Sequence, residues 1–237
     1  MLYLLAAFIP SIKDQAMETE IKLGFNDKES LLQVPAADWF KIYCLDDGDT
    51  ALLENTYLDT GDLKVTGNGA MIRVRHYAGD CKDFYEFTVK YGGGVAGGLH
   101  RRYEWNVKSD TDAFDVETFK AGAKGQSDSD DLLDKALEGI TDSDLTVLCR
   151  NSFTRTVIHL KYGDSTMEAC FDHGTIEDGS GQVREQICEL ELELVSGRVE
   201  DIEAMADIVT KNAPCAPFDD TKYHRTLKYI DKGCRYE

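Results

Sequence analysis

The stretch Cys188-Glu189-Leu190-Glu191-Leu192-Glu193-Leu194 decides the reading of the chain. Charged and apolar residues alternate without a break, and a period of two sends successive side chains to opposite faces of a β-strand. One face then carries Glu189, Glu191 and Glu193, the other Leu190, Leu192 and Leu194. The same alternation recurs in Glu18-Thr19-Glu20-Ile21-Lys22-Leu23, in Ile72-Arg73-Val74-Arg75, in Glu86-Phe87-Thr88-Val89-Lys90 and in Arg102-Tyr103-Glu104, while Glu168, Cys170 and Asp172 share a face. A polar strand face normally meets water and mixes its residue types. Here the charges sort by strand: acidic on the first, seventh and eighth, basic on the third, fourth and sixth, the last through Arg155.

In all, eight stretches carry strand pattern, at 18–25, 52–59, 71–77, 84–91, 102–108, 151–160, 165–172 and 186–195. Turn signals such as Asp46-Asp47-Gly48-Asp49, Gly67-Asn68-Gly69 and the glycine-rich run at 92–98 place neighbours in antiparallel hairpins, with the run itself a flexible one. Helical periodicity marks 28–43, 128–137 and 199–211, and 122–131 reads as a solvated loop. No repeat or Pro-rich linker divides the chain. One α+β domain over 17–237 is expected, preceded by a dispensable extension at 1–16. The apolar run at its start is far shorter than the ~20 residues of a membrane span and lacks the basic flank of a signal peptide.

Composition narrows the function classes. With 26 Lys and Arg against 44 Asp and Glu, the net charge of −18 argues against gripping nucleic acid or an anionic membrane. At 42% hydrophobic residues, the chain is too apolar for a disordered acidic tail. The seven cysteines are odd in number and contain no C-x-x-C pair, so they read as reduced core thiols of a cytoplasmic protein.

The apolar faces need covering, and only a few helices are available to cover them. If eight strands close into a barrel with the charged faces inward, the lumen has a cationic and an anionic wall and room for one small ligand. Clustered carboxylates in such a space repel, and a hard divalent cation relieves them; a polyanion relieves the basic wall. The guest that satisfies both is a metal-bound polyphosphate.

These residues carry a family resemblance. Glu18-Thr19-Glu20-Ile21-Lys22 resembles the E-x-E-x-K signature of the CYTH superfamily, the triphosphate tunnel metalloenzymes. Tyr57-Leu58-Asp59-Thr60, Met71-Ile72-Arg73-Val74-Arg75, Thr88-Val89-Lys90, the 187–194 strand and Lys222 within Asp220-Thr221-Lys222-Tyr223 follow in the family's order. The stretches 97–104 and 188–197 resemble the bacterial inorganic triphosphatase branch, without the C-terminal CHAD domain that such relatives often carry. Val157 departs from the pattern, standing where relatives have a basic residue.

The resemblance implies a closed eight-stranded antiparallel tunnel with helices packed outside. It implies hydrolysis of inorganic triphosphate to diphosphate and phosphate with Mg²⁺ or Mn²⁺. Expected metal ligands are Glu18, Glu20, Asp172, Glu189, Glu191 and Glu193; Lys22, Arg73, Arg75, Lys90, Arg102, Arg155 and Lys222 would bind substrate, with Lys90, Arg102 and Lys222 acting in catalysis. Glu193 and the weaker candidate Glu168 serve equally well as rim ion pairs, and Lys22 could join either wall. Glu104 and Arg225 are supporting candidates, Tyr57 and Asp59 structural ones, and His100 sits in a turn that shapes the tunnel mouth. Thiamine triphosphatase, nucleoside or RNA triphosphatase and adenylate cyclase chemistry stay open, as does a non-catalytic polyphosphate-binding module. The expected partner is a small polyphosphate, with no membrane, no nucleic acid unless RNA is the substrate, and a monomer or weak homodimer as the assembly.

Overall fold

Each alternating stretch becomes a strand, and the alternation is satisfied by closure. The computed structural model describes residues 17–78, 83–127, 130–177 and 182–229. Its strands are β1 (Met17–Phe25), β2 (Asp49–Thr60), β3 (Ala70–Ala78), β4 (Phe84–Ala96), β5 (Leu99–Ser109), β6 (Leu145–Tyr162), β7 (Ser165–Glu177), β8 (Val183–Ser196) and the short β9 (Cys215–Pro217). The first eight run in the order β5-β4-β3-β2-β6-β7-β8-β1, and β1 pairs back onto β5. Every pairing is antiparallel. The closing strand meets β5 through Met17↔Tyr103 to Ile21↔Leu99 and β8 through Glu20↔Glu193 to Gly24↔Glu189. Where β5 ends, β9 takes over that edge of β1, from Leu23↔Pro217 to Phe25↔Cys215.

The outward faces are covered by helices, as an apolar outer face requires. α1 (Lys28–Gln33), α2 (Asp38–Lys41), α3 (Lys64–Gly67), α4 (Val116–Ala123), α5 (Asp130–Ala136), α6 (Val199–Asn212) and α7 (Lys222–Leu227) are the helices among the described residues. One outer core packs Leu31, Phe40, Ile202, Met205 and Val209 from α1, α2 and α6 onto Leu23, Phe171, Leu190 and Leu192. A second packs Val65, Phe119 and Ala136 from α3, α4 and α5 onto Ile72, Val89 and Trp105. Each buried Leu, Ile or Phe contributes about 1.5–3 kcal/mol, so these outer layers, and not the charged interior, stabilise the barrel. None of the helices is long and apolar enough to cross a membrane among the described residues.

Three expectations change. The helix expected over 28–43 is two, because Pro35 has no amide hydrogen to continue the ladder; α1 stops at Gln33 and α2 begins at Asp38. Part of the loop expected at 122–131 is helix: Asp115 accepts from the Thr118 amide at 2.7 Å and starts α4, whose Val116, Phe119 and Ala123 are buried. The helix expected from 128 is seen as α5 from Asp130, residues 128–129 lying outside the described ones. The run at 92–98 forms the expected hairpin, with its first five residues inside β4, only Gly97 and Gly98 in the turn, and a register shift between Tyr91 and Gly94. Gly93 has φ +106°, and a Cβ there would lie 2.5 Å from the Arg101 carbonyl oxygen, so glycine is required. The extension at 1–16, with Cys81 and Cys234, lies outside the described residues; the other five cysteines are unpaired thiols.

Candidate active site

Residues directly opposite one another in an antiparallel pair share a face, so the registers say which charges meet inside. Glu18 faces Arg102, Glu20 faces Glu193, Lys22 faces Glu191, Asp172 faces both Glu189 and Arg155, and Lys90 faces Glu104. They enclose a cavity of about 600 Å³ that runs from Asp49 and His159 at one end to Gly92 and His224 at the other. Glu18, Glu20, Lys22, Arg73, Arg75, Lys90, Arg102, Arg155, Glu191, Glu193 and Lys222 all line it. Asp172 and Glu189 do not reach its surface and are buried behind their cationic partners.

The acidic residues divide into two clusters. In the first, Asp172, Glu189 and Glu191 bring one carboxylate oxygen each to within 4.8 Å of the others. Four cations hold them. Lys222 enters from α7 to Asp172 at 2.6 Å, Glu191 at 2.9 Å and Glu189. Lys22 is 3.0 Å from Glu191, Arg155 grips Asp172 through two bonds of 2.7 and 2.6 Å and also Glu191, and Arg225 donates to Glu189 at 2.6 Å. Burial works against both ionised partners, yet the three carboxylates hold the Lys222 ammonium above its ordinary range and the cations hold the Glu191 carboxyl well below its own.

The second cluster contains Glu18, Glu20, Glu104 and Glu193. Arg102 donates to Glu18 at 2.7 Å and to Glu20 at 2.8 Å, and Lys90 pairs with Glu18 at 3.0 Å and with Glu104. Among the described residues Glu193 has no ion pair. Four carboxylates have only two cations at hydrogen-bond distance, the next being Arg73 at 3.9 Å from Glu104, so the cluster is negative when all are ionised. The consequence is visible in the protonation equilibria. Burial, then Glu18, Glu104 and Glu20, push the Glu193 carboxyl well above its usual 4.5. Burial and Glu18 also raise Glu104, while Lys90 and Arg102 overcome burial to hold Glu18 low. A hard divalent cation would supply the missing charge of this cluster, while the group whose carboxylate oxygens converge within 4.8 Å among the described residues is Asp172, Glu189 and Glu191. The first cluster, by contrast, is balanced, its four cations facing Asp172, Glu189, Glu191 and Glu185, which accepts from Arg225 at 2.6 Å.

Two further arginines of the lumen have little counter-charge. Arg73 donates to Thr88 Oγ1 at 2.8 Å, its nearest carboxylates, Glu86 and Glu104, are 3.9 Å away, and its Nε has no hydrogen-bond partner among the described residues. Arg75 donates to the neutral Asn55 at 2.8 Å and lies over the Tyr77 and Phe153 rings. Burial and the neighbouring Arg75 push the Arg73 pKa down. A buried guanidinium without an anion is costly, and bidentate oxyanions are its natural partners.

The alternation places residues on the inner face but not around the barrel's circumference, so the expected separation into a basic and an acidic wall is only half seen. Lys22, Arg155 and Lys222 stand inside one acidic cluster and Lys90 and Arg102 inside the other, leaving Arg73 and Arg75 as the cationic wall. Asp59 is structural, accepting from the Val65 and Thr66 amides at 2.9 and 3.1 Å to hold α3. Glu168 stands at the rim, 3.4 Å from His159 Nε2. His100 is not at a mouth: it is buried, with Nε2 3.5 Å from the Phe218 carbonyl oxygen. Sequence reasoning that followed only charge missed Asn55, Thr88 and Asn151. All three occupy inward positions of alternating strands, which is the signal that could have found them.

An antiparallel barrel lined in this way is a charged β-tunnel, with an interior that fits anionic and cationic guests together. The chain belongs to the CYTH domain family, whose profile matches residues 16–227. It is 26% identical over 186 residues to the inorganic triphosphatase of Haemophilus influenzae, covering 78% of this chain and 47% of that protein. The chain thus spans about half the length of the curated relative it matches. Among solved structures it is similar to a Hippeastrum protein studied as an adenylyl cyclase and described as having a dominant triphosphatase activity, at a TM-score of 0.61 and 13% identity over 91% of this chain and 98% of that one. It is also similar to the PH1819 protein of Pyrococcus horikoshii, at 0.52 and 14% over 89% and 98%. At these identities the two structures speak for the fold.

Proposed function

We propose that the protein is a divalent-metal-dependent phosphoanhydride hydrolase that cleaves inorganic triphosphate to diphosphate and phosphate. The observation that carries this reading is the buried pair Arg73 and Arg75, unpaired with any carboxylate at hydrogen-bond distance, in one cavity with a carboxylate-rich cluster that is short of cations. The cavity volume falls within the roughly 300–1,000 Å³ of small-molecule sites. The Haemophilus influenzae relative supports inorganic triphosphate as the substrate.

Glu18, Glu20 and Glu193, with Glu104 beside them, would hold Mg²⁺ or Mn²⁺. The bound ion supplies charge neutralisation at the phosphoryl oxygens. Arg73 and Arg75 clamp the phosphate oxygens, while Lys90, Arg102 and Lys222, each already fixed by carboxylates, present ammonium and guanidinium hydrogens to the developing charge. Catalysis of this kind is positioning and electrostatics. Asp172, Glu189 and Glu191 hold Lys222, Arg155 and Lys22 in place, and their geometry admits a second ion where Lys222 gives way.

The test is phosphate release from inorganic triphosphate, ATP and thiamine triphosphate, each with Mg²⁺, Mn²⁺ or EDTA. Inorganic triphosphate is expected to be the fastest and to require the cation. Equal or faster release from ATP or thiamine triphosphate overturns the substrate, and undiminished activity in EDTA overturns the metal.

A further inference from the structure

Arg75, like Arg73, differs from the other cations of the tunnel. Lys22, Lys90, Arg102, Arg155 and Lys222 each have a carboxylate oxygen within 3.0 Å. Arg75 has a neutral amide instead, and that amide is the first of a buried series. Arg75 Nε donates to Asn55 Oδ1 at 2.8 Å, and Asn55 Nδ2 donates to Asn151 Oδ1 at 3.0 Å. Asn151 Nδ2 donates to Thr226 Oγ1 at 3.1 Å and to the Tyr57 hydroxyl at 3.4 Å. The Thr226 hydroxyl then donates to the Lys222 carbonyl oxygen at 2.7 Å. Asn55, Asn151 and Thr226 are all buried and none lines the cavity.

The direction of this series is forced. A guanidinium can only donate, so Asn55 must turn its oxygen to Arg75 and its NH₂ to Asn151; Asn151 must then turn its NH₂ toward α7. Flipping Asn55 sets donor against donor at Arg75 and acceptor against acceptor at Asn151, and flipping Asn151 sets its NH₂ against that of Asn55, each a loss of hydrogen bonding in a buried place. A carboxylate at position 55 would aim Arg75 equally well, but it would also satisfy the charge that the substrate has to meet. Glu86 lies opposite Arg75 in the register yet turns to the Tyr77 hydroxyl at 3.3 Å and toward Arg73.

We infer that Asn55, Asn151 and Thr226 form a positioning relay that aims the Arg75 guanidinium into the tunnel without neutralising it and ties α7, with Lys222, to the same frame. The inference rests on the functional reading above, in that the group held ready is a phosphate-binding one. These are positioning residues: they act through Arg75 and Lys222.

The experiment measures calorimetric binding of imidotriphosphate, a non-hydrolysable analogue of inorganic triphosphate, together with KM, kcat and thermal melting. Asn55→Asp keeps the acceptor and adds a charge, so it should weaken analogue binding and raise KM by about tenfold or more, the effect of compromising one charge-assisted contact, with a melting temperature equal to or above wild type. Asn55→Ala should weaken binding in the wild-type background and add less than about twofold in an Arg75→Ala background, since residues acting through one another are not additive. Thr226→Val should lose affinity that Thr226→Ser recovers. Wild-type affinity in Asn55→Asp, or the same loss from Asn55→Ala with and without Arg75, overturns the relay while leaving the functional reading intact. No binding by the wild-type protein overturns the functional reading, and the relay's purpose with it.

Discussion

Replacing a half-buried, unpaired acid of the proposed metal site should make the metal-free protein more stable. Glu193 has Glu18, Glu20 and Glu104 as charged neighbours and no ion pair among the described residues, and its carboxyl is held well above the usual 4.5. A carboxyl with a raised folded-state pKa binds more protons folded than unfolded, so its contribution is harmless below about pH 4.5 and stability falls as pH rises toward the raised value. The raised carboxyl can cost at most about 3 kcal/mol at pH 7, because each pH unit above the unfolded pKa is worth about 1.4 kcal/mol. Gln carries no such cost, and its NH₂ finds acceptors on the neighbouring carboxylates. At roughly 2–4 °C per kcal/mol for a domain of this size, Glu193→Gln in EDTA should melt together with wild type near pH 4.5 and up to about 6–12 °C higher at pH 7. Adding Mn²⁺ should raise the wild-type melting temperature and raise that of the variant less, closing the gap. Differential scanning calorimetry over pH 4.5–8, with EDTA and with Mn²⁺, reads both effects. A variant that melts below wild type in EDTA at pH 7, or a gap that does not widen with pH, would refute the charge count on which the metal assignment stands.

Asp59 is buried and accepts from the Thr60, Val65 and Thr66 amides and the Thr66 hydroxyl; Asp59→Ala strands these donors and should cost about 3–5 kcal/mol in chemical denaturation, with triphosphate KM nearly unchanged in the folded fraction. Deleting residues 1–16 should leave both activity and melting temperature as they are, checked by the same phosphate assay and melts; a marked loss of either would make the extension part of the fold.

The fold was legible because the sorting of apolar and charged residues is unusually strict. Leu190, Leu192, Ile72 and Val89 announce covered outer faces, and Glu189, Glu191, Arg73 and Lys90 announce an inner one. What alternation cannot convey is which inner residues meet. That depends on register, and register depends on loops and on where β1 closes on β5. For this reason Lys90 and Arg102 read as part of a basic wall although they sit among Glu18, Glu20 and Glu104. Lys222 depends on α7, a six-residue helix capped by Thr221, too short for periodicity to show. α4 was hidden by its acidic surroundings, its three buried residues being the only trace of its packing. The neutral residues Asn55 and Asn151 stayed silent for a chemical reason: an uncharged amide looks ordinary until the arginine it orients is seen beside it.

The seam formed by β1 has a bearing on how the molecule assembles. Its residues are synthesised before those of the other strands, yet Glu18 and Glu20 meet Arg102 only when β5 is made and Glu20 meets Glu193 only when β8 is made. Contacts so distant along a chain are entropically expensive to nucleate and slow folding. Until synthesis reaches β8, the nascent chain carries an open sheet with exposed edges and no route to closure. Closure of the barrel is thus also what brings Glu18 and Glu20 of β1 beside Arg102 and Glu193, so the acidic cluster is complete only in the closed barrel.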